Sequence, residues 1–141
     1  MPTRSSTAQW SGNLARGSGT MSLGSGAFEG NYSFASRFES GEGTNPEELI
    51  AAAHAGCFSM ALASALSVDD HVPDSVNTTA EVTIETVDGN PTITRSELST
   101  EVKVDGLDDA EFQSYADAAK SGCAVSRALG GVEISLDAKL A

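Results

Sequence analysis

Basic side chains are scarce in this sequence, whereas acidic ones are abundant. The 141 residues include 20 Asp and Glu but only 8 Lys and Arg, which gives a formal net charge of −12 at pH 7. A surface with this excess of negative charge repels phosphate backbones and anionic lipid headgroups. We therefore expect neither nucleic acid nor a membrane surface as a partner.

Cysteine is also rare, and the two cysteines match no metal-binding pattern. Cys57 and Cys123 lie 66 positions apart, a separation unlike any zinc motif, and His54 adds a single helical neighbour. Glycine-rich phosphate-binding motifs are absent as well, so we expect no bound metal or cofactor. The N-terminal segment MPTRSSTAQW lacks the basic and apolar regions of a secretory signal. This predicts a cytoplasmic protein whose thiols are kept reduced.

Charged side chains are missing altogether from residues 49–68. An uncharged run of this length can span a bilayer. The run consists mostly of small residues, however, and acidic residues flank it on both sides, which is atypical of a membrane helix. We expect it to form a buried central helix.

The first third of the chain predicts strands followed by that helix. Glycines separate three short alternating stretches that are typical of strands, at residues 8–10, 20–23 and 32–38. Asn45 can cap a helix that has Pro46 at its first position and two acidic residues in its first turn. We predict that this helix ends near Val68.

The rest of the chain predicts a hairpin, two further helices and a last strand. The corresponding segments are residues 77–87 and 92–104 for the hairpin, 108–121 and 123–129 for the helices, and 132–138 for the strand. Asp108 is the expected cap of the first of these helices. This order of elements predicts a single α+β domain over residues 1–141, with antiparallel sheets, a long buried central helix and a second helix.

Position alone leaves the roles of the cysteines open. Cys57 lies in the middle of the central helix, where a cysteine is most often a small buried apolar residue. Cys123 follows Gly122 at the start of a short helix, where backbone N–H groups stabilise a thiolate. His71 belongs to a solvated helix end, and His54 lies three residues before Cys57 on the same helix, a poor position for the base of a thiol hydrolase.

Several motifs together resemble the OsmC/Ohr family of osmotically inducible and organic hydroperoxide resistance proteins. They are GTNPEEL at 43–49, AAHAGCFSMAL at 52–62, and, in the order expected of the family, QWSG at 9–12, RGSGT at 16–20, RFE at 37–39 and GCAVS at 122–126. The segment before Cys57 is similar to the OsmC branch. Ala124 differs from the family, because many relatives have proline after the second cysteine.

The resemblance implies a thiol-dependent peroxidase that reduces organic hydroperoxides in oxidative or osmotic stress. The Cys57 thiolate would attack the peroxide and become a sulfenic acid, and Cys123 would condense with it to a disulfide. An external dithiol or lipoyl-type reductant would then restore both thiols. The family's arginine and glutamate fall on Arg37 and Glu47, with Arg16 as the alternative arginine, and their role would be to lower the pKa of Cys57 and polarise the peroxide.

Helix geometry adds a constraint on these residues. Glu47 and Cys57 are ten residues apart on one predicted helix, which corresponds to about 15 Å along its axis. If Glu47 and Arg37 act on Cys57, they therefore come from a second subunit, and the resemblance also implies an intertwined homodimer. An apolar pocket near this interface, formed by Phe34, Phe38, Phe58 and Met60, would favour bulky alkyl hydroperoxides.

Two other functions remain open on the sequence. A non-enzymatic stress or binding protein with inert buried cysteines would show the same acidity and helical core. A thiol-dependent hydrolase would need a base beside Cys57, for which His54 is the only nearby residue.

Overall fold

A small antiparallel sheet organises the first 49 residues. The computed structural model describes residues 1–141, which divide into two units, Met1–Leu49 and Ile50–Ala141. In the first unit the strands pair in the order β1 (Ser6–Ser11), β2 (Ser18–Leu23), β3 (Glu29–Tyr32). The rings of Trp10 and Tyr32 lie 5.3 Å apart, and both crowd Gly19, where an added Cβ would lie 2.6 Å from Tyr32. The expectation of one domain over the whole chain stays a prediction.

Residues 32–38 were expected to form a strand, and this prediction is wrong. The strand ends at Tyr32, and Phe34–Phe38 form helix α1. Ser33 caps this helix, because its hydroxyl accepts a hydrogen bond from the Ser36 N–H at 3.2 Å while the Ser36 hydroxyl accepts one from the Ser33 N–H at 2.8 Å. Arg37 therefore lies on a helix.

The long helix α2 runs from Pro46 to Val68, as the sequence predicts. Asn45 caps it, since its Oδ1 accepts a hydrogen bond from the Glu48 N–H at 2.7 Å. Helix α2 is long and apolar enough to cross a bilayer. Core helices of soluble proteins meet the same criterion of length and composition, so this is weak evidence for a membrane span.

The second unit contains a three-stranded sheet in the order β4 (Ser75–Val87), β5 (Asn90–Lys103), β6 (Glu133–Leu140). The hairpin between β4 and β5 turns on Asp88 and Gly89 alone, at φ 51° and 80°. Asn90 and Pro91, which lie between the two predicted strands, belong to β5. The α+β class is confirmed. The expectation of purely antiparallel sheets is wrong for β6, which is parallel to β5. Helices α3 (Asp109–Gly122) and α4 (Ala124–Ala128) supply the crossover that a parallel pair requires.

The buried apolar side chains belong to the second unit. They come from α2, β5, α3, the start of α4 and β6: Phe58, Leu62, Leu66, Leu98, Val102, Phe112, Ala116, Ala119, Cys123 and Ala138. On α2 the completely buried positions recur every four residues, so one stripe of the helix faces the core. The opposite side is open, with Met60 76 % exposed. Within one chain α2 is therefore buried on one side only.

Candidate active site

The two cysteines meet in the second unit. Cys57 lies in the middle of α2, and Cys123 is the residue that precedes the first turn of α4. Each thiol affects the pKa of the other. Cys57 is half-buried, whereas Cys123 is only 1 % exposed. Cys57 packs against the buried cluster that contains Cys123, so one accessible and one buried thiol belong to the same part of the core.

The start of α4 acts on both sulfurs. The backbone N–H groups of Val125 and Ala124 favour the thiolate of Cys57, and those of Ser126 and Val125 favour the thiolate of Cys123. Burial raises the pKa of Cys57, and its hydrogen bond to Cys123 raises it further. Burial also opposes ionisation of Cys123, yet the pKa of Cys123 is lowered overall, because Cys57 and both the N–H and the hydroxyl of Ser126 hydrogen-bond its sulfur.

A buried histidine, which the sequence did not identify as functional, lies in the same unit. The His54 Nδ1 and the Ser96 Oγ are 2.7 Å apart, and the His54 Nε2 and the Ser126 Oγ are 2.8 Å apart. His54 is completely buried, and burial lowers its pKa. The sequence did contain a signal, since His54 occupies the same four-residue repeat as the core-facing residues of α2.

Arg37 and Glu47 form an ion pair in the first unit. The Arg37 Nε and Nη2 donate hydrogen bonds to the Glu47 Oε1 at 3.1 and 2.9 Å. Glu47 is 7 % exposed, and its Oε2 is buried without a hydrogen-bond partner. The guanidinium also lies 5.1 Å from the centre of the Phe38 ring. A buried carboxylate thus holds this arginine in a defined orientation.

Arg16 is placed differently. It belongs to the exposed turn between β1 and β2, where its backbone N–H donates a hydrogen bond to the Asn13 Oδ1 at 2.8 Å. Its guanidinium takes part in none of the four ion pairs of the chain. Arg37 is therefore the more constrained of the two arginines.

A largely apolar cavity of about 270 Å³ lies beside Arg37. Its walls are formed by Trp10, Leu14, Tyr32, Ser33, Phe34 and Phe38. Two of the four residues expected in an apolar pocket, Phe34 and Phe38, do line a cavity. Phe58 does not, because its side chain is completely buried in the core of the second unit, and Met60 is exposed on α2.

Metal ligands are not grouped anywhere in the structure. No set of three or more His, Cys, Asp or Glu side chains is arranged to hold a metal ion. The ring of His71, the second histidine, lies 6.2 Å from the ring of Tyr115. His71 is not among the groups that affect the pKa of either cysteine. The groups that act on the two thiols come from α2 and the start of α4.

The sequence is similar to one family model and to several known proteins. Residues 39–137 match the sequence model of the family described as OsmC-like protein. Peroxiredoxin OsmC of Escherichia coli is 47 % identical over 134 residues, which cover 94 % of this chain and 93 % of that protein. The organic hydroperoxide resistance protein of Xanthomonas axonopodis pv. citri is 34 % identical over 98 residues, or 68 % of this chain and 67 % of that protein.

Solved structures show the same fold. The crystal structure of an organic hydroperoxide resistance protein OsmC from Legionella pneumophila superposes with a TM-score of 0.72 at 23 % identity, over 97 % of both chains. The organic hydroperoxide resistance protein of Bacillus subtilis superposes with a TM-score of 0.71 at 24 % identity, over 95 % of this chain and 97 % of that one.

Proposed function

Because this chain belongs to the OsmC-like protein family, we propose that it is a thiol-dependent peroxidase that reduces organic hydroperoxides to alcohols in stress defence. The observation that carries the proposal is the placement of Cys57 against the buried cluster that contains Cys123, where each thiol affects the pKa of the other. The 47 % identity to a peroxiredoxin over nearly the whole chain supports it.

Cys57 is the attacking residue in this proposal. Its thiolate attacks one oxygen of the peroxide, the O–O bond breaks, and the departing alkoxide takes up a proton to become the alcohol. The Cys57 sulfur is thereby oxidised to a sulfenic acid. Cys57 is the more accessible of the two thiols, so a hydroperoxide with a bulky alkyl group reaches it more easily than it reaches Cys123.

Cys123 resolves the oxidised state. Its sulfur attacks that of Cys57 and forms the disulfide, and the sulfenic oxygen leaves as water. An external dithiol, of lipoyl or related type, then reduces the disulfide and supplies the two electrons of the cycle. The cycle therefore needs no bound cofactor.

Arg37 supplies the positive charge that Cys57 needs. Burial raises the pKa of Cys57, so a thiolate at neutral pH requires a cation that offsets this effect. Arg37, oriented by Glu47, is the proposed cation. Because Glu47 begins the same helix that carries Cys57, about 15 Å further along its axis, we assign the acting Arg37 and Glu47 to a second subunit.

Two features of the chain support a homodimer. The side of α2 that includes Met60 and Gly56 is exposed and largely uncharged. The first unit contains a three-stranded sheet but none of the fully buried apolar side chains, and such a sheet is marginally stable without further packing. A second subunit would cover both surfaces and complete two equivalent sites.

The cavity beside Arg37 accounts for the choice of substrate. Its aromatic walls would hold the alkyl part of a hydroperoxide next to the guanidinium that polarises the peroxide. Hydrogen peroxide has no alkyl group to bind there. The protein is thus an organic hydroperoxide reductase, which we expect to act in the cytoplasm as a single-domain protein.

A hydrolase is disfavoured by the contacts of His54. Both ring nitrogens of His54 lie within hydrogen-bonding distance of serine hydroxyls, so neither is free to act as a base for Cys57.

Thiol titration tests the proposal against inert cysteines. We expect one equivalent of cumene hydroperoxide to consume both thiols of each reduced chain, lower the intact mass by two hydrogens and yield the alcohol, with reversal by a dithiol. Cys57→Ser and Cys123→Ser are the matched controls, and neither can form the disulfide. Unchanged thiols in the wild-type protein would reject the peroxidase proposal.

A further inference from the structure

A chain of buried polar groups leads from β5 to the sulfur of Cys123. Ser96 on β5 and Ser126 on α4 flank the His54 ring at 2.7 and 2.8 Å. Ser126 follows Cys123, the N-cap of α4, by three residues, and its hydroxyl lowers the pKa of Cys123. His54 and Ser96 are completely buried, and Ser126 is 6 % exposed. All of these polar side chains lie in the second unit, residues 50–141.

These polar residues occupy positions where the fold calls for apolar ones. His54 continues the buried stripe of Phe58 and Leu62 on α2, and Ser96 continues the core-facing alternation of Leu98 on β5. Burying a polar group costs free energy unless it is hydrogen-bonded, and apolar residues of similar size would pack without that requirement. Core packing alone therefore gives no reason for an imidazole between two hydroxyls.

The chemistry of Cys123 gives the hydrogen bonds a direction. A thiolate only accepts hydrogen bonds, so the Ser126 hydroxyl donates to it, and the Ser126 Oγ then accepts from the Nε2–H of His54. Burial lowers the pKa of His54, so its ring is neutral and has a single N–H. Nδ1 is thus the acceptor for the Ser96 hydroxyl. Each hydrogen bond from Ser96 through His54 and Ser126 is therefore donated in the direction of the Cys123 sulfur.

We propose that His54 and Ser126 are positioning residues for disulfide formation: Ser126, held by His54, stabilises the Cys123 thiolate and directs its sulfur at the oxidised Cys57. This inference rests on the proposed peroxidase function and concerns its second step. Neither residue touches the peroxide. A neutral His54 that hydrogen-bonds Ser126 acts on the sulfur through the hydroxyl alone.

The step balances without a proton taken up by His54. The Cys123 thiolate attacks the Cys57 sulfur, the S–S bond forms, and the S–O bond of the sulfenic acid breaks. The leaving hydroxide takes a proton from solvent and becomes water. The groups that lower the pKa of Cys123 are Cys57, the N–H and hydroxyl of Ser126, and the Val125 N–H, and Cys57 is the titratable one among them.

The first test measures the pKa of Cys123 without any peroxide. In a Cys57→Ser background, thiolate absorbance near 240 nm is followed against pH. We expect Ser126→Ala to raise the pKa of Cys123 by about one unit, because a hydrogen bond to a charged group is lost. Ser126→Thr, which retains the hydroxyl, should keep the pKa of Cys123 near its value in the Cys57→Ser parent. Ser121→Ala is the matched control, since Ser121 is exposed and its hydroxyl bonds the Asp117 carbonyl.

The second test separates the two chemical steps by stopped flow. In Ser126→Ala, sulfenic acid formation should proceed at the wild-type rate while disulfide closure slows by about tenfold at neutral pH. His54→Gln, which can still donate to Ser126, should close faster than His54→Leu. An unchanged pKa of Cys123 and unchanged closure in Ser126→Ala would overturn the inference. A wild-type protein that never forms the sulfenic acid would instead reject the peroxidase proposal itself.

Discussion

Arg37 donates two hydrogen bonds to a single oxygen of Glu47, at 2.9 and 3.1 Å, while the other carboxylate oxygen is buried without a partner. A buried carboxylate with only one oxygen satisfied is costly unless its charge is offset, so this pair is not an ordinary surface ion pair. The arrangement fixes the guanidinium in place and leaves one acceptor for a further donor, which a second subunit could supply.

Removal of Arg37 should lower both stability and activity. Arg37→Ala leaves the Glu47 carboxylate buried and unpaired, and we expect the free energy of unfolding to fall by about 3 kcal/mol. Adding Glu47→Gln should recover part of this loss, because the amide carries no charge. Thermal or denaturant unfolding measures the free energy of unfolding of each variant. Arg16→Ala, a change in an exposed turn, should unfold as the wild type does and retain its peroxidase activity.

The pH dependence of the first step should reveal the cation. Burial raises the pKa of Cys57, and only the thiolate reacts, so a site without Arg37 should become active only as the pH rises above the ordinary thiol range. In a Cys123→Ser background, we expect the midpoint of rate against pH to lie higher for Arg37→Ala than for the parent. Identical profiles would mean that Arg37 does not act on Cys57.

Mixed dimers test whether the site is shared between subunits. Cys57→Ser and Arg37→Ala should each be inactive or nearly so as homodimers. After the two are unfolded together and refolded, each mixed dimer has one site with both residues intact, so about a quarter of the wild-type activity should return if subunits pair at random. If Arg37 and Cys57 act within one subunit, mixing restores nothing. Light scattering confirms that the mixture is dimeric.

The aromatic cavity should determine selectivity for alkyl groups. Phe34→Ala enlarges the cavity and removes apolar contacts, so kcat/KM for cumene hydroperoxide should fall by about tenfold, while that for hydrogen peroxide changes little. Phe28→Ala is the control, because Phe28 is partly exposed and does not line the cavity. Equal losses for both peroxides would show that the cavity does not bind the alkyl group.

Local signals in the sequence account for most of the fold. Asn45 and Pro46 predict the start of α2, and Asp108 predicts the start of α3, because caps act through neighbouring backbone groups. The helix at Phe34–Phe38 was missed because its aromatic residues favour strands, and the reciprocal hydrogen bonds of Ser33 and Ser36 decide the outcome. The parallel direction of β6 depends on the end of the sheet at which the chain emerges after α3 and α4, and no local sequence pattern predicts this.

The site could be predicted only in part. The cysteines follow from the family resemblance, and the proposed disulfide between them stays a prediction. The roles of Arg37, Glu47, Cys57 and Cys123 stay predictions. The polar chain through His54 was not predicted, since Ser96 and Ser126 lie 42 and 72 residues away in sequence and become its neighbours only through folding.

Cys57, and not Cys123, is the sulfur that attacks the peroxide in this proposal. The pKa values make this a demanding claim, because burial raises the pKa of Cys57 whereas the pKa of Cys123 is lowered. Single-thiol variants separate the two residues. Each is treated with one equivalent of cumene hydroperoxide and then with dimedone, which traps sulfenic acids, and the labelled peptide is identified by mass. We predict label on Cys57 in Cys123→Ser and none on Cys123 in Cys57→Ser. Label on Cys123 at the wild-type rate of oxidation would contradict the account.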